Sequence, residues 1–224
     1  MSRPNPFTTI GLAVSLAVLV TAMPASAQVR RTAPPAEPDV SFRPFFEAAG
    51  EQFAAKQTFD AAFSGKSSGA FWGGGLQIDF RSGIFIELAA SRFSKTGERA
   101  FVSNGQVFSL GIPLRATVTP LEISAGGRFR ISPRVIPYAG GGLTRYHYSE
   151  TSDFSAEGDD VTANHFGAMV FGGAEIRVHR WIGVGLEAEF ARVSGILGDG
   201  GISKAFGETD LGGTGFRVKV LVGR

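Results

Sequence analysis

Cysteine is absent from the 224 residues. That excludes disulfides, zinc–thiolate sites, thiol catalysis and a lipoprotein anchor. Histidine is scarce: His147, His165 and His179 do not have the spacing of a metal site, so no metal and no cofactor is expected. Charge is thin at 19% and balanced, with 22 basic against 20 acidic residues, which leaves no basic stripe for nucleic acid. No segment from Arg43 onward shows a helical period. Glycine, in contrast, numbers 31, about twice its usual share, and phenylalanine numbers 20 against two tryptophans and three tyrosines. This composition is too apolar for disorder and too rich in glycine for a helical bundle. It favours a β protein.

The N-terminus reads as an address. Arg3 supplies a positive start, 10–20 (IGLAVSLAVLV) an apolar stretch too short to anchor in a bilayer, and Ala25-Ser26-Ala27 a cleavage pattern. Residues 1–27 are therefore expected to be a cleaved signal peptide, and the proline-rich 28–42 an extended linker in the periplasm.

From there to the C-terminus, apolar and polar residues alternate with period two in eight segments. The expected strands are 43–53, 70–80, 84–94, 116–130, 135–149, 164–178, 181–193 and 209–222. In 181–193, Ile182, Val184, Leu186, Ala188 and Phe190 oppose Gly183, Gly185, Glu187 and Glu189; in 209–222, Phe216, Val218, Val220 and Val222 oppose Arg217 and Lys219. The connections have 16, 3, 21, 4, 14, 2 and 15 residues, long and short in strict turn. Outer-membrane barrels have this asymmetry of long external loops and short periplasmic turns. The polar face mixes charges with glycines, where a solvated face would carry lysine, threonine and serine. It therefore reads as the inside of an eight-stranded barrel, whose interior is just wide enough for side chains. The lumen is then expected to hold Glu47, Glu51, Asp79, Glu87, Glu122, Glu175, Glu187 and Glu189 against Arg128, Arg130, Arg145, Arg177, Arg217 and Lys219. Charges removed from bulk water need partners, so a paired network is expected, with Glu187 and Glu189 meeting Arg217 and Lys219. Strict alternation also turns Trp181 inward. Trp72, Tyr146 and Tyr148 at outer ends and Tyr138 at an inner end are expected in interfacial girdles.

The signal peptide, the eight alternating strands, the loop pattern and the glycine-rich strands PYAGGGLTRYHY (137–148) and DLGGTGFRVKVLVGR (210–224) resemble the OmpA/OmpX-type outer-membrane β-barrel family over about 43–224. The resemblance implies an all-β fold, an eight-stranded antiparallel up-and-down transmembrane β-barrel. It also implies the outer membrane of a Gram-negative envelope as location, outer-membrane lipids and the barrel assembly machinery as partners, and loops free to meet an external ligand. The family's usual terminal aromatic has no counterpart in Val222-Gly223-Arg224.

One arrangement suggests chemistry. His147 and Ser149 share a strand face, with Glu150 and Asp153 nearby, and a histidine beside a serine is the core of an activated nucleophile. Barrel enzymes that trim lipid A resemble this in their His-x-Ser pair. Strand phase puts the pair with Arg145 on the lumen side, where filling is the simpler role. The acidic loop 151–160 lacks calcium-loop spacing and reads as a solvated loop; 198–201 reads as turn chemistry. The expected function is a non-enzymatic structural and interaction barrel. The alternatives are a narrow porin-like channel for ions or small solutes, and a lipid-modifying enzyme using His147 and Ser149.

Overall fold

Alternation carries the chain into a closed antiparallel barrel. In the computed structural model, which describes residues 39–104, 106–152, 161–198 and 201–223, the strands are β1 (Val40–Phe53), β2 (Ser68–Phe80), β3 (Ile84–Ser103), β4 (Gln106–Arg128), β5 (Val135–Thr151), β6 (Val161–His179), β7 (Ile182–Val193) and β8 (Leu211–Val222). Each strand pairs with the next, and β8 returns to β1, with Glu47 opposite Lys219 and Ala49 opposite Arg217. Closure leaves no sheet edge, as a backbone surrounded by lipid requires. The expected signal peptide and all of the expected linker except 39–42 lie outside the described residues. The strand begins inside that linker, at Val40, because Val40 to Arg43 pair with Phe80 to Gln77.

Burial follows the pleat. Along β3 exposed and buried residues alternate from Ile84 to Ser94. Outward faces carry Phe42, Phe46, Trp72, Leu121, Ile123, Leu143, Val170, Leu186 and Phe190, with Phe166 at 74% and Phe216 at 73% exposure. A soluble monomer rarely shows a contiguous apolar patch beyond a few hundred Å2. This band encircles the barrel and suits hydrocarbon.

The strands outrun the sequence expectation at the long-loop end. The 21-residue connection 95–115 is mostly a hairpin: β3 and β4 stay paired to Ser103 and Gln106, with an irregularity between Glu98 and Ala100. Threonines, serines and charges there interrupt the apolar alternation, which Phe101, Val107, Phe108 and Leu110 do not restore. Two further connections hold helices, contrary to the all-strand reading: α1 (Lys56–Ala62) and α2 (Gly201–Phe206). Seven and six residues span under two turns, too few for a period to register and too few to be stable without tertiary contacts.

At the short-turn end, Gly83 takes φ 87°, a left-handed conformation that glycine adopts without strain, and so closes the β2–β3 turn. β4 stops at Arg128 and β7 starts at Ile182, leaving Phe129, Arg130 and Trp181 in turns. Trp181 is exposed rather than lumenal, because register shifts between Arg177 and His179 just before it.

Candidate functional site

Inward-facing residues stack in layers along the barrel axis. The first layer, at the short-turn end, is built on Arg43. Its Nη1 and Nη2 donate to Glu175 Oε2 at 2.9 Å and Oε1 at 2.6 Å, and Nη1 lies 3.2 Å from Asp79 Oδ2. Arg128 pairs with the same two carboxylates, Gln77 donates to Asp79 at 2.7 Å, and Arg177 stands 3.9 Å from Glu175 at the edge.

Above it, Lys219 Nζ donates to Glu87 Oε1 at 2.6 Å and Glu187 Oε2 at 2.9 Å, and lies over the rings of Phe45 and Phe171. The third layer centres on Arg217. It makes a two-pronged contact with Glu122 at 3.0 and 3.2 Å, lies 2.5 Å from Glu189 and 3.4 Å from Glu47, and its Nε is 3.7 Å from Glu187. Bidentate, charge-assisted contacts of this kind make a buried charge tolerable. Glu51 reaches the same region. A void of about 20 Å3 beside Glu51, Glu122, Tyr146 and Arg217 has room for about one water.

The outer layer is apolar. Phe53 stacks on Phe59 of α1 at 4.1 Å and meets Phe71 and Phe93 edge-on at 6.0 and 5.2 Å. Val118, Tyr146, Tyr148, Val193, Ile196, Leu197 and Leu211 complete the cluster. Glu208 ties α1 down by accepting hydrogen bonds from Gln57 N at 3.1 Å, Thr58 N at 2.8 Å and Thr58 Oγ1 at 2.7 Å. Beyond this plug, the long-loop end opens into a cavity of about 590 Å3, lined among others by Phe63, Leu110, Leu114, Tyr148, Glu150 and Ile202.

Most of the expected lumenal charges thus meet inside the barrel, and three sequence assignments are corrected. Arg145 points outward, exposed, toward Asn164 at 3.3 Å and over the Phe166 ring at 5.9 Å. Arg130 lies past the end of β4, exposed at the rim. Tyr138, Tyr146 and Tyr148 face the lumen instead of a girdle, whereas Trp72 faces outward. Physics inverts the polarity rule at the outer end of β5. There the inside is an apolar plug and the outside has left the lipid, so the tyrosines turn in and Arg145 and His147 turn out.

His147 and Ser149 accordingly share the outer face, not the lumen. His147 Nδ1 is 3.0 Å from Asn164 Oδ1, so an amide, not a carboxylate, orients the ring. Glu150 accepts from the Tyr148 hydroxyl. The expected loops 151–160 and 198–201 lie largely outside the described residues. No cluster of potential metal ligands occurs among the described residues.

Sequence reasoning missed Arg43. Its parity with Glu47 and Glu51 is the signal that would have found it. With Arg43 in and Arg130 and Arg145 out, eight carboxylates face Arg43, Arg128, Arg177, Arg217 and Lys219, five bases where six were expected.

The barrel, its apolar belt and its filled core agree with the comparison to known families, in which the outer membrane protein beta-barrel domain matches residues 13–222. The chain belongs to the outer membrane protein β-barrel family. Neisserial surface protein A has the same fold at 14% identity and a TM-score of 0.55, over 81% of this chain and 96% of that one. Ail, the attachment invasion locus protein of Yersinia pestis, crystallised with the heparin analogue sucrose octasulfate, follows at 11% identity and a TM-score of 0.50, over 83% of this chain and 98% of that one. No curated protein matches the sequence. In barrels of this family the short turns face the periplasm and the long loops face outward, so the charged layers occupy the inner part of the lumen and the aromatic plug its outer mouth.

Proposed function

We propose that this outer membrane barrel is a non-conducting structural and interaction protein. Its lumen is filled to keep the wall rigid, and its long-loop end is built to meet an external partner. The observation that carries this reading is the stack itself: three ion-paired layers lie beneath an aromatic plug, and the void beside Glu51, Glu122 and Arg217 measures about 20 Å3. Rigid loops support the second half. α1, held by Glu208, and the paired β3–β4 ribbon frame the 590 Å3 cavity, a size suited to a small ligand or a partner's side chains. Ail, held in complex with a sulfated sugar, is a barrel of this fold that takes a soluble ligand. Export through a cleaved signal peptide and insertion by the barrel assembly machinery belong to the same reading.

Single-channel recording of the refolded chain in planar bilayers tests it. No reproducible conductance step is expected; a regular step would mean that the lumen carries a water path and that the protein is a channel. The enzymatic alternative has less support, since His147 Nδ1 meets Asn164 Oδ1 and, among the described residues, no hydrogen bond joins the ring to the Ser149 hydroxyl that it would have to activate. Lipid A incubated with the protein should keep all its acyl chains; loss of a chain that requires both His147 and Ser149 would establish the enzyme.

A further inference from the structure

The two ends of the barrel differ in charge. The short-turn end, taken as 39–43, 79–84, 128–135, 175–182 and 221–223, holds seven arginines and three carboxylates, a formal excess of +4. The long-loop segments 53–68, 92–118, 145–165 and 192–211 hold nine basic and ten acidic residues, an excess of −1. At the short-turn end Asp79 and Glu175 are already engaged by Arg43 and Arg128 inside the lumen, and Asp39 pairs with Arg81 at 3.3 Å. Arg130, Arg134 and Arg180 stand exposed on the rim.

These arginines sit on fixed backbone. Arg177 N donates to Arg134 O at 2.8 Å, joining the β4–β5 turn to β6, and Arg128 N donates to Gly83 O at 2.7 Å, joining it to the β2–β3 turn. Gly223 N donates to Trp181 O at 2.9 Å and pins the β6–β7 turn to the end of β8. Large apolar side chains interleave with the cations: Phe129, Trp181, and Ile131 and Val178, each 69% exposed. A surface meant for a soluble polyanion has no use for exposed isoleucine and phenylalanine. A bilayer interface uses both, with apolar groups entering the acyl boundary and guanidinium groups reaching phosphate.

We infer that the short-turn rim, through Arg130, Arg134 and Arg180 with Phe129, Ile131 and Trp181, binds the headgroups of anionic phospholipids in the inner leaflet. Guanidinium forks pair with phosphate oxygens in two-pronged fashion, and a net negative headgroup complements the local excess of +4 where a zwitterionic one does not. The rim thereby gathers a shell of anionic lipid and orients the barrel, basic end inward.

Native mass spectrometry of the full chain, released from mixed micelles with equal phosphatidylglycerol and phosphatidylcholine, tests this. The wild type should retain phosphatidylglycerol over phosphatidylcholine by on the order of tenfold, and the triple variant Arg130→Gln/Arg134→Gln/Arg180→Gln should bring the ratio close to one. Arg92→Gln/Arg115→Gln at the opposite rim should leave the ratio unchanged, and soluble glycerophosphate should not displace the retained lipid. Equal retention of both lipids by the wild type, or a preference that survives the triple variant, overturns the inference. Should the triple variant fail to fold, high salt applied to the wild type decides: the preference must collapse, and its persistence is contrary.

Discussion

Arg217 touches four carboxylates, three of them buried and Glu189 one-tenth exposed. Removing it strands Glu47, Glu122, Glu187 and Glu189 in a lumen with room beside them for about one water, which costs more than the pairing itself contributes. Arg217→Ala should lower stability by about 3 kcal/mol, read as a shifted denaturant midpoint in detergent; an unchanged midpoint would mean a wet lumen. Glycine matters on the same face. A Cβ at Gly126 would lie 2.6 Å from the Phe85 ring and 2.5 Å from Ala139 O, whereas at neighbouring Gly127 its nearest contact, on Phe129, is 3.5 Å away. Gly126→Val should therefore destabilise by about 1–3 kcal/mol while Gly127→Ala is tolerated. These inward positions were legible in the sequence because charge and glycine recur at every second residue beside aliphatic neighbours. Arg145 and Arg43 were not. Arg145 looks lumenal only if polarity keeps one meaning along the whole strand. Arg43 lies in β1, where alanine and glycine at 48–50 blur the alternation that would reveal its parity with Glu47.

Elements above the membrane obey different rules from those within it. Inside the bilayer, lipid and lumen impose opposite polarities on the two faces, so period two survives in the sequence and seven connections could be counted. Above it most residues of the β3–β4 ribbon are exposed or half-buried on either face, and nothing in 95–115 marks a strand. The helices are hidden for another reason: six or seven residues are too few to register a period, and α1 owes its stability to Phe53 and Glu208 and not to its own residues. Glu208→Ala removes three hydrogen bonds from the first turn of α1. Hydrogen exchange of the α1 amides should then quicken by the equivalent of about 1–2 kcal/mol, with the β-strand amides unaffected. If strand amides quicken equally, α1 is part of the barrel's cooperative unit and not a separately anchored cap.

At the largest scale, the barrel is a wall around a core of packed side chains. Closure of eight strands leaves an interior that side chains can fill, and this sequence stacks side chains along it with a change of chemistry partway: ion pairs from Arg43 to Arg217, aromatics from Tyr146 to Phe59. The lack of native cysteine makes a direct test clean. Ala49 faces the lumen between Glu47 and Glu51 and borders the water-sized void, so Ala49→Cys places a small thiol at the heart of the stack. Treated with a charged, water-soluble thiol reagent, the folded protein in lipid should stay unlabelled at position 49, while Lys66→Cys at an exposed position of the β1–β2 connection labels fully and boiling makes both reactive. Labelling of position 49 in the folded barrel at the rate of position 66 would contradict the filled lumen and return the protein to the channels.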